Sequence, residues 1–125
     1  MLVLDDDEAV RETFVDALER AGYSVVGLAA GVEALSRLEE IGPDLIVLDM
    51  AMPEMDGFEF LARLRASSAR RDVPVLIVSA LGEHLRDSID APGAASLRIA
   101  GILPKTTSLD TLLDHVAAVI ARPRP

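Results

Sequence analysis

Leu45-Ile46-Val47-Leu48 is a run of four apolar residues held between Asp44 and Asp49. It is too short for a helix and has no polar residue alternating along it. A strand of this kind is buried on both faces, as the central strands of a parallel sheet are. Upstream, Gly31 to Ile41 carries Ala34, Leu35, Leu38 and Ile41 on one helical face and stops at Gly42-Pro43. Downstream, a loop leads to a helix over Gly57 to Arg65, predicted to turn Phe58, Leu61 and Leu64 inward.

The same alternation runs through the rest of the chain. Leu2-Val3-Leu4 is a short strand. Glu8 to Ala21 is a helix with Val10, Phe14, Ala17, Leu18 and Ala21 on one stripe, stopped by Gly22. Ser24 to Leu28 reads as a strand, Val75 to Val78 as a second fully buried one, and Ile102-Leu103 as a short fifth. A helix is expected over Gly82 to Asp90. Ser108 caps a last helix with the stripe Leu109, Leu112, Leu113, Val116, Ala117 and Ile120. Five β-α units with fully apolar strands predict an α/β fold, a doubly wound parallel sheet with helices on both faces.

Composition bounds the function. The length of 125 residues fits one domain. Residues 1–121 are expected to form it, with Arg122-Pro123-Arg124-Pro125 as a tail or the start of a linker. Acids outnumber bases 21 to 12, a net charge of −9, which disfavours direct binding of nucleic acid or an anionic membrane. Without cysteine, zinc–thiolate and thiol chemistry are excluded. No apolar run approaches the ~18 residues of a membrane span, and the N-terminus is acidic rather than signal-like, so a cytoplasmic location is expected. Of the 12 basic residues only Lys105 is a lysine.

Ligands of open parallel sheets bind at the carboxyl ends of the strands. Asp5, Asp6 and Asp7 follow the first strand and Asp49 the third. Ser79 follows the fourth, and Pro104-Lys105 the fifth. Carboxylates brought together repel, and a hard divalent cation relieves that repulsion; Mg²⁺ suits a few carboxylates and several waters. A carboxylate beside it can act as a nucleophile towards phosphorus, while an ammonium and a hydroxyl serve the phosphoryl oxygens. Singly, each residue also has a plain structural reading. An acidic run starts helices, Asp56 caps one, and Ser79-Ala80 marks a turn. Their joint placement in strand order carries the chemistry.

These residues resemble the receiver domain of bacterial two-component response regulators over essentially the whole chain. The resemblance rests on Leu4-Asp5-Asp6-Asp7, on Asp49-Met50-Ala51-Met52-Pro53-Glu54-Met55-Asp56-Gly57, on Val78-Ser79-Ala80 and on Leu103-Pro104-Lys105. It implies the flavodoxin-like strand order 2-1-3-4-5. It implies a phosphorylation switch in which Asp49 accepts a phosphoryl group from a sensor histidine kinase or phosphotransfer protein. Asp5, Asp6, Asp49 and the backbone carbonyl of Ala51 would hold Mg²⁺. Ser79 would bond a phosphoryl oxygen, and Lys105 would pair with the phosphate. Asp5/Asp6 is taken as the acidic pair because the pair in this family directly follows the strand; Asp7 then starts the helix. A downstream effector protein or domain reads the switch, with a homodimer as one option. The resemblance implies a phosphoacceptor with at most self-catalysed phosphotransfer and dephosphorylation, not a turnover enzyme.

The chain departs from that pattern in places. Thr106 follows the lysine where the family usually has a cis-linked proline, and a cis bond to a non-proline costs ~3 kcal/mol. Ile102 stands where an aromatic switch residue is common. The segment from Ser79 to Lys105 is about four residues longer than usual, with Pro92-Gly93 inside it. Ala51 and Leu81 stand where family members control attack by water, and neither can orient one, so a long-lived phosphorylated state is expected. The competing reading is a receiver-like docking domain that does not signal by phosphate. An Mg²⁺-dependent phosphatase is disfavoured because Ala51 stands where such enzymes carry a second Asp. A dinucleotide enzyme is disfavoured because no G-x-G-x-x-G follows the first strand.

Overall fold

A computed structural model of the chain describes residues 1–67, 72–80 and 98–121. Its elements run β1 (Leu2–Leu4), α1 (Glu8–Arg20), β2 (Val26–Leu28), α2 (Gly31–Ser36), α3 (Leu38–Ile41), β3 (Ile46–Leu48), α4 (Gly57–Ala66), β4 (Val75–Ser79), β5 (Ile99–Pro104) and α5 (Leu109–Ala121). The five strands are parallel and ordered β2-β1-β3-β4-β5. The doubly wound sheet expected from the sequence is the one observed.

The apolar runs make sense once the two faces are separated. Leu2, Leu4, Ile46, Leu48, Val75 and Ile77 pack with Leu38, Phe60, Leu61 and Leu64 of the α2–α4 layer. Val3, Leu45, Val47, Leu76 and Val78 pack with Phe14, Leu18, Leu112, Val116 and Val119 of α1 and α5. Side chains alternate between faces along each strand. Both faces are covered, so every position must be apolar. None of the described helices is long and apolar enough to cross a membrane.

Some expectations are corrected. The helix predicted over Gly31 to Ile41 is divided at Arg37, whose φ of −109° and ψ of 9° leave helical geometry. In α4 the inward residues are Phe60, Leu61 and Leu64, while Phe58 is exposed. Gly57 is buried against Met50 on the same side of the helix as this face. In α5 the inward stripe is Leu112, Val116 and Val119, and Leu109 and Ile120 face outward. Asp110, Thr111, Asp114 and His115 mark the polar face, and the buried stripe is rotated so that Val119 rather than Ala117 or Ile120 faces inward. Strand β5 is longer than the predicted Ile102-Leu103, running from Ile99 to Pro104, and it holds a bulge near its start. Val75 pairs with Ile99 but Leu76 pairs with Gly101, and Ala100 is the extra residue. The helix expected over Gly82 to Asp90, together with Leu81, Pro92-Gly93 and the Arg-Pro tail, lies outside the described residues.

Gly57 shows how tightly the loop after β3 closes. Its N–H donates to the Met50 carbonyl at 3.0 Å. A Cβ on Gly57 would collide with Met50 Sδ and lie 2.7 Å from Met50 Cα. The sulfur can move, but the backbone atom cannot. Gly57→Ala is expected to cost about 3 kcal/mol, the range of a core overpacked beside rigid backbone. Urea unfolding measures it, and a loss below about 1 kcal/mol would show that the loop yields freely.

Candidate functional site

The carboxyl ends of β1, β3, β4 and β5 lie side by side, because the strand order places them in consecutive positions. The chain turns in opposite directions on leaving β1 and β3, and such a switch point opens a crevice above the sheet. Asp5 follows β1 and Asp49 follows β3, and each is only 2% exposed. The Asp5 N–H donates to the Leu28 carbonyl at 3.1 Å, and the Asp49 N–H to the Leu4 carbonyl at 3.0 Å. Both residues therefore extend the sheet by one hydrogen bond and turn their carboxylates into the crevice.

Local backbone bonds then aim these carboxylates. Asp5 Oδ1 accepts the Asp7 N–H at 2.9 Å, and Asp49 Oδ1 accepts the Ala51 N–H at 3.1 Å. Asp7 itself points away from the site, where its Oδ1 accepts the Val10 N–H at 3.1 Å and caps α1. In the run of three aspartates, Asp5 is buried, Asp6 is exposed, and Asp7 starts the helix. Asp56 caps α4 in the same way through the Glu59 N–H at 2.9 Å. Between them, Met50, Met52 and Met55 are buried and fill the loop floor. Glu54 sits at φ 66°, in the left-handed region, where the Met55 N–H reaches back to the Pro53 carbonyl at 2.7 Å.

Lys105 enters from the far side of the sheet. It follows β5 in a turn closed by the Thr107 N–H on the Pro104 carbonyl at 3.0 Å. Its own N–H donates to the carbonyl of Ser79 at 3.2 Å. Ser79 ends β4 and is fully buried. Among the described residues there is no cis peptide bond, so the Lys105–Thr106 link is trans. Lys105 Nζ lies 3.2 Å from Asp49 Oδ2 and 3.3 Å from Asp5 Oδ2. One ammonium thus bridges two carboxylates that are 44 residues apart in sequence, both far from Lys105 itself.

The electrostatics follow from that crowding. Burial raises the Asp5 pKa above the usual carboxylate value, and the neighbouring Asp49 charge adds to it; the Asp7 N–H and the Lys105 ammonium only partly offset this. For Lys105, burial pulls the pKa down, but the hydrogen bond and charge of Asp49, joined by Asp5, outweigh it and hold the ammonium above its ordinary value. Oxygens of Asp5, Asp6 and Asp49 lie within 4.8 Å of one another. Three carboxylates against one ammonium leave a formal surplus of two negative charges. A hard dication with oxygen ligands fits this donor set: a few carboxylates, with the exposed Asp6 on the solvent side where waters would be available to it.

Of the residues singled out in the sequence, Asp5, Asp6, Asp49 and Lys105 are thus brought together. Ala51 is exposed beside Asp49, and Ser79 lies beside Lys105 on the neighbouring strand. Sequence reasoning passed over Arg11. Its Nη1 donates to the backbone carbonyl of Asp5 at 2.9 Å. The signal available was its position one turn inside α1, since helical side chains lean towards the N-terminus and reach the preceding loop.

Known proteins place this arrangement. The response regulator receiver domain family matches residues 1–117. The response regulator MprA of Mycobacterium avium is 39% identical over 132 residues, covering 100% of this chain and 52% of that protein. MprA of Mycobacterium tuberculosis matches with the same figures, so the chain spans about half the length of these relatives. Among solved structures, the Vibrio cholerae chemotaxis protein CheY4 superposes with a TM-score of 0.82 at 30% identity, covering 94% of this chain and 95% of that one. The non-phosphorylated HemR receiver domain of Leptospira biflexa gives a TM-score of 0.82 at 29% identity, covering 99% and 95%. The chain belongs to the receiver domains of response regulators, the receiving modules of two-component signalling systems.

Proposed function

We propose that this receiver is a phosphorylation switch with Asp49 as its phosphoacceptor, charged by the phosphohistidine of a sensor histidine kinase or phosphotransfer protein. One observation carries the reading. Asp49 is buried in a carboxylate cluster with Asp5 and Asp6, and the Lys105 ammonium lies 3.2 Å from it. An Asp49 carboxylate oxygen attacks phosphorus, the P–N bond breaks, and its electron pair returns to the imidazole nitrogen. Lys105 supplies positive charge to the phosphoryl oxygens as they pass, and the Ser79 hydroxyl supplies a hydrogen bond.

Asp5, Asp6, Asp49 and the carbonyl of Ala51 are the proposed holders of Mg²⁺. There a bound ion would supply positive charge that offsets the clustered carboxylates and favours the negative charge of the phosphoryl group. The phosphoryl group stays on the chain, so the protein is a switch rather than a turnover enzyme. Residues 1–121 form the switching unit in this reading, residues 122–125 are tail or linker, and the setting is cytoplasmic. A downstream effector protein or domain reads the changed surface. The receiver-like docking domain remains the second reading, and uptake of phosphate separates the two. Incubation with acetyl phosphate and Mg²⁺ should add one phosphoryl group to the intact mass. No gain in mass, or a gain that Asp49→Asn leaves unchanged, would favour the docking domain.

The phosphorylated state should persist. Ala51, two residues past the phosphoacceptor, is exposed and has no polar side-chain atom to orient water. Ala51→Asn should shorten the half-life of the phosphorylated chain about tenfold, the low end for a group that begins to steer a water. The half-life is read by intact mass after removal of the donor. Rapid loss already in the wild type, or no change in Ala51→Asn, would contradict this.

A further inference from the structure

We infer that Arg11 is a positioning residue for the metal site: it fixes the Asp5–Asp6 peptide, and through it the place of the Asp6 carboxylate. The inference rests on the function proposed above. The three carboxylates are not held alike. Asp5 is held by the Asp7 N–H and Lys105, and Asp49 by the Ala51 N–H and Lys105. Among the described residues no hydrogen bond or ion pair holds the exposed Asp6 carboxylate. Its place is therefore set by the backbone that carries it.

That backbone is anchored from α1. The Asp5 carbonyl belongs to the planar peptide joining Asp5 to Asp6. It lies one residue past the last β1–β2 pair, Leu4 with Leu28. Arg11 Nη1 donates to it at 2.9 Å, a charge-assisted bond. The opposite side of the residue is fixed as well, by the Asp5 N–H on the Leu28 carbonyl. With both ends of Asp5 pinned, the direction in which Asp6 leaves is set.

The arginine stem is guided too. Gly27 on edge strand β2 leaves it room, since a Cβ there would lie 3.3 Å from Arg11 Cγ and 3.4 Å from Cδ. Mg²⁺ demands near-ideal octahedral geometry, so a carboxylate displaced by a rotated peptide binds it poorly. Groups that orient ligands without touching the metal have effects of this kind.

The test compares the wild type with Arg11→Met, Arg11→Gln and Arg11→Lys. Mg²⁺ is titrated calorimetrically into the unphosphorylated chain, and acetyl phosphate uptake is followed against Mg²⁺ concentration. Met keeps the stem without the donor, and Gln serves the same purpose at this half-buried position should Met fold poorly. Both should weaken Mg²⁺ binding about tenfold and raise the half-saturating Mg²⁺ by the same factor. The maximal rate at saturating Mg²⁺ should stay within about twofold, and Lys should bind within about threefold of the wild type. Met and Gln variants that bind Mg²⁺ like the wild type would overturn the inference, as would a lowered maximal rate at unchanged half-saturation. A wild type that binds no Mg²⁺ would instead overturn the proposed function, so the two failures read apart.

Discussion

Asp49→Asn should abolish phosphoryl uptake from acetyl phosphate, with a loss of at least about a thousandfold, as expected when the proposed nucleophile is removed. The substitution is nearly isosteric. The Asn side-chain oxygen can still accept the Ala51 N–H, now 3.1 Å from Asp49 Oδ1, and Lys105 keeps its pair with Asp5 at 3.3 Å. The sheet beneath is untouched, because the backbone bond from residue 49 to Leu4 does not involve the side chain. A folded but inert variant is therefore the expected result. Mg²⁺ binding should weaken as well, since one of the three clustered carboxylates is lost. Intact-mass measurement reads the uptake. Continued labelling of Asp49→Asn at the wild-type rate would place the acceptor elsewhere.

Lys105→Met should separate two functions that share one site. The methionine fills the space of the lysine stem and carries no charge. Phosphoryl uptake should fall at least about a hundredfold, the usual consequence of removing one donor from an oxyanion being transferred. Mg²⁺ binding should hold or tighten, because the ammonium at 3.2 and 3.3 Å competes for the same carboxylates. The pH dependence has a definite sign. The fold holds the Lys105 pKa above 10.5. Its contribution to stability is thus complete below 10.5 and is lost as pH rises through the higher folded value. Lys105→Met should lack that alkaline step in thermal melts. Uptake within about threefold of the wild type would show that Lys105 does not serve the transferring group.

The two sides of the sheet were unequally legible in the sequence. Strands β3 and β4 announce themselves because they are buried on both faces, and that state leaves no polar residue in Ile46–Leu48 or in Val75–Val78. Strand β5 does not. Its bulge turns Ala100 and Gly101 to the same side, so the period of two is broken where the strand begins. Arg98, at φ 57°, opens the strand from a left-handed residue that no local pattern marks. The rotation of α4 was hidden for another reason. Phe58 and Phe60 both fit an inward face on spacing with Leu61 and Leu64, and the close approach of Gly57 to Met50, which leaves no room for a side chain, is not legible from spacing.

The acidic site was more legible than the fold around it. Each of its side chains follows the end of an apolar run, and the lone lysine stood out against eleven arginines. Arg11 stayed hidden because its contact is with a backbone carbonyl. A main-chain acceptor leaves no trace in the residue types around it. The same holds for Gly57 and Gly27, where the informative feature is the side chain that is absent.

The chemistry at Asp49 can be read at a single residue. Borohydride reduces an acyl phosphate to an alcohol, so a phosphorylated aspartate becomes homoserine. The wild-type chain is phosphorylated with acetyl phosphate and Mg²⁺, treated with borohydride, digested and mapped by mass spectrometry. Homoserine should be found at position 49 and nowhere else, and only when Mg²⁺ is present. Homoserine at another aspartate, or none at all, would contradict the assignment of Asp49 as the phosphoacceptor.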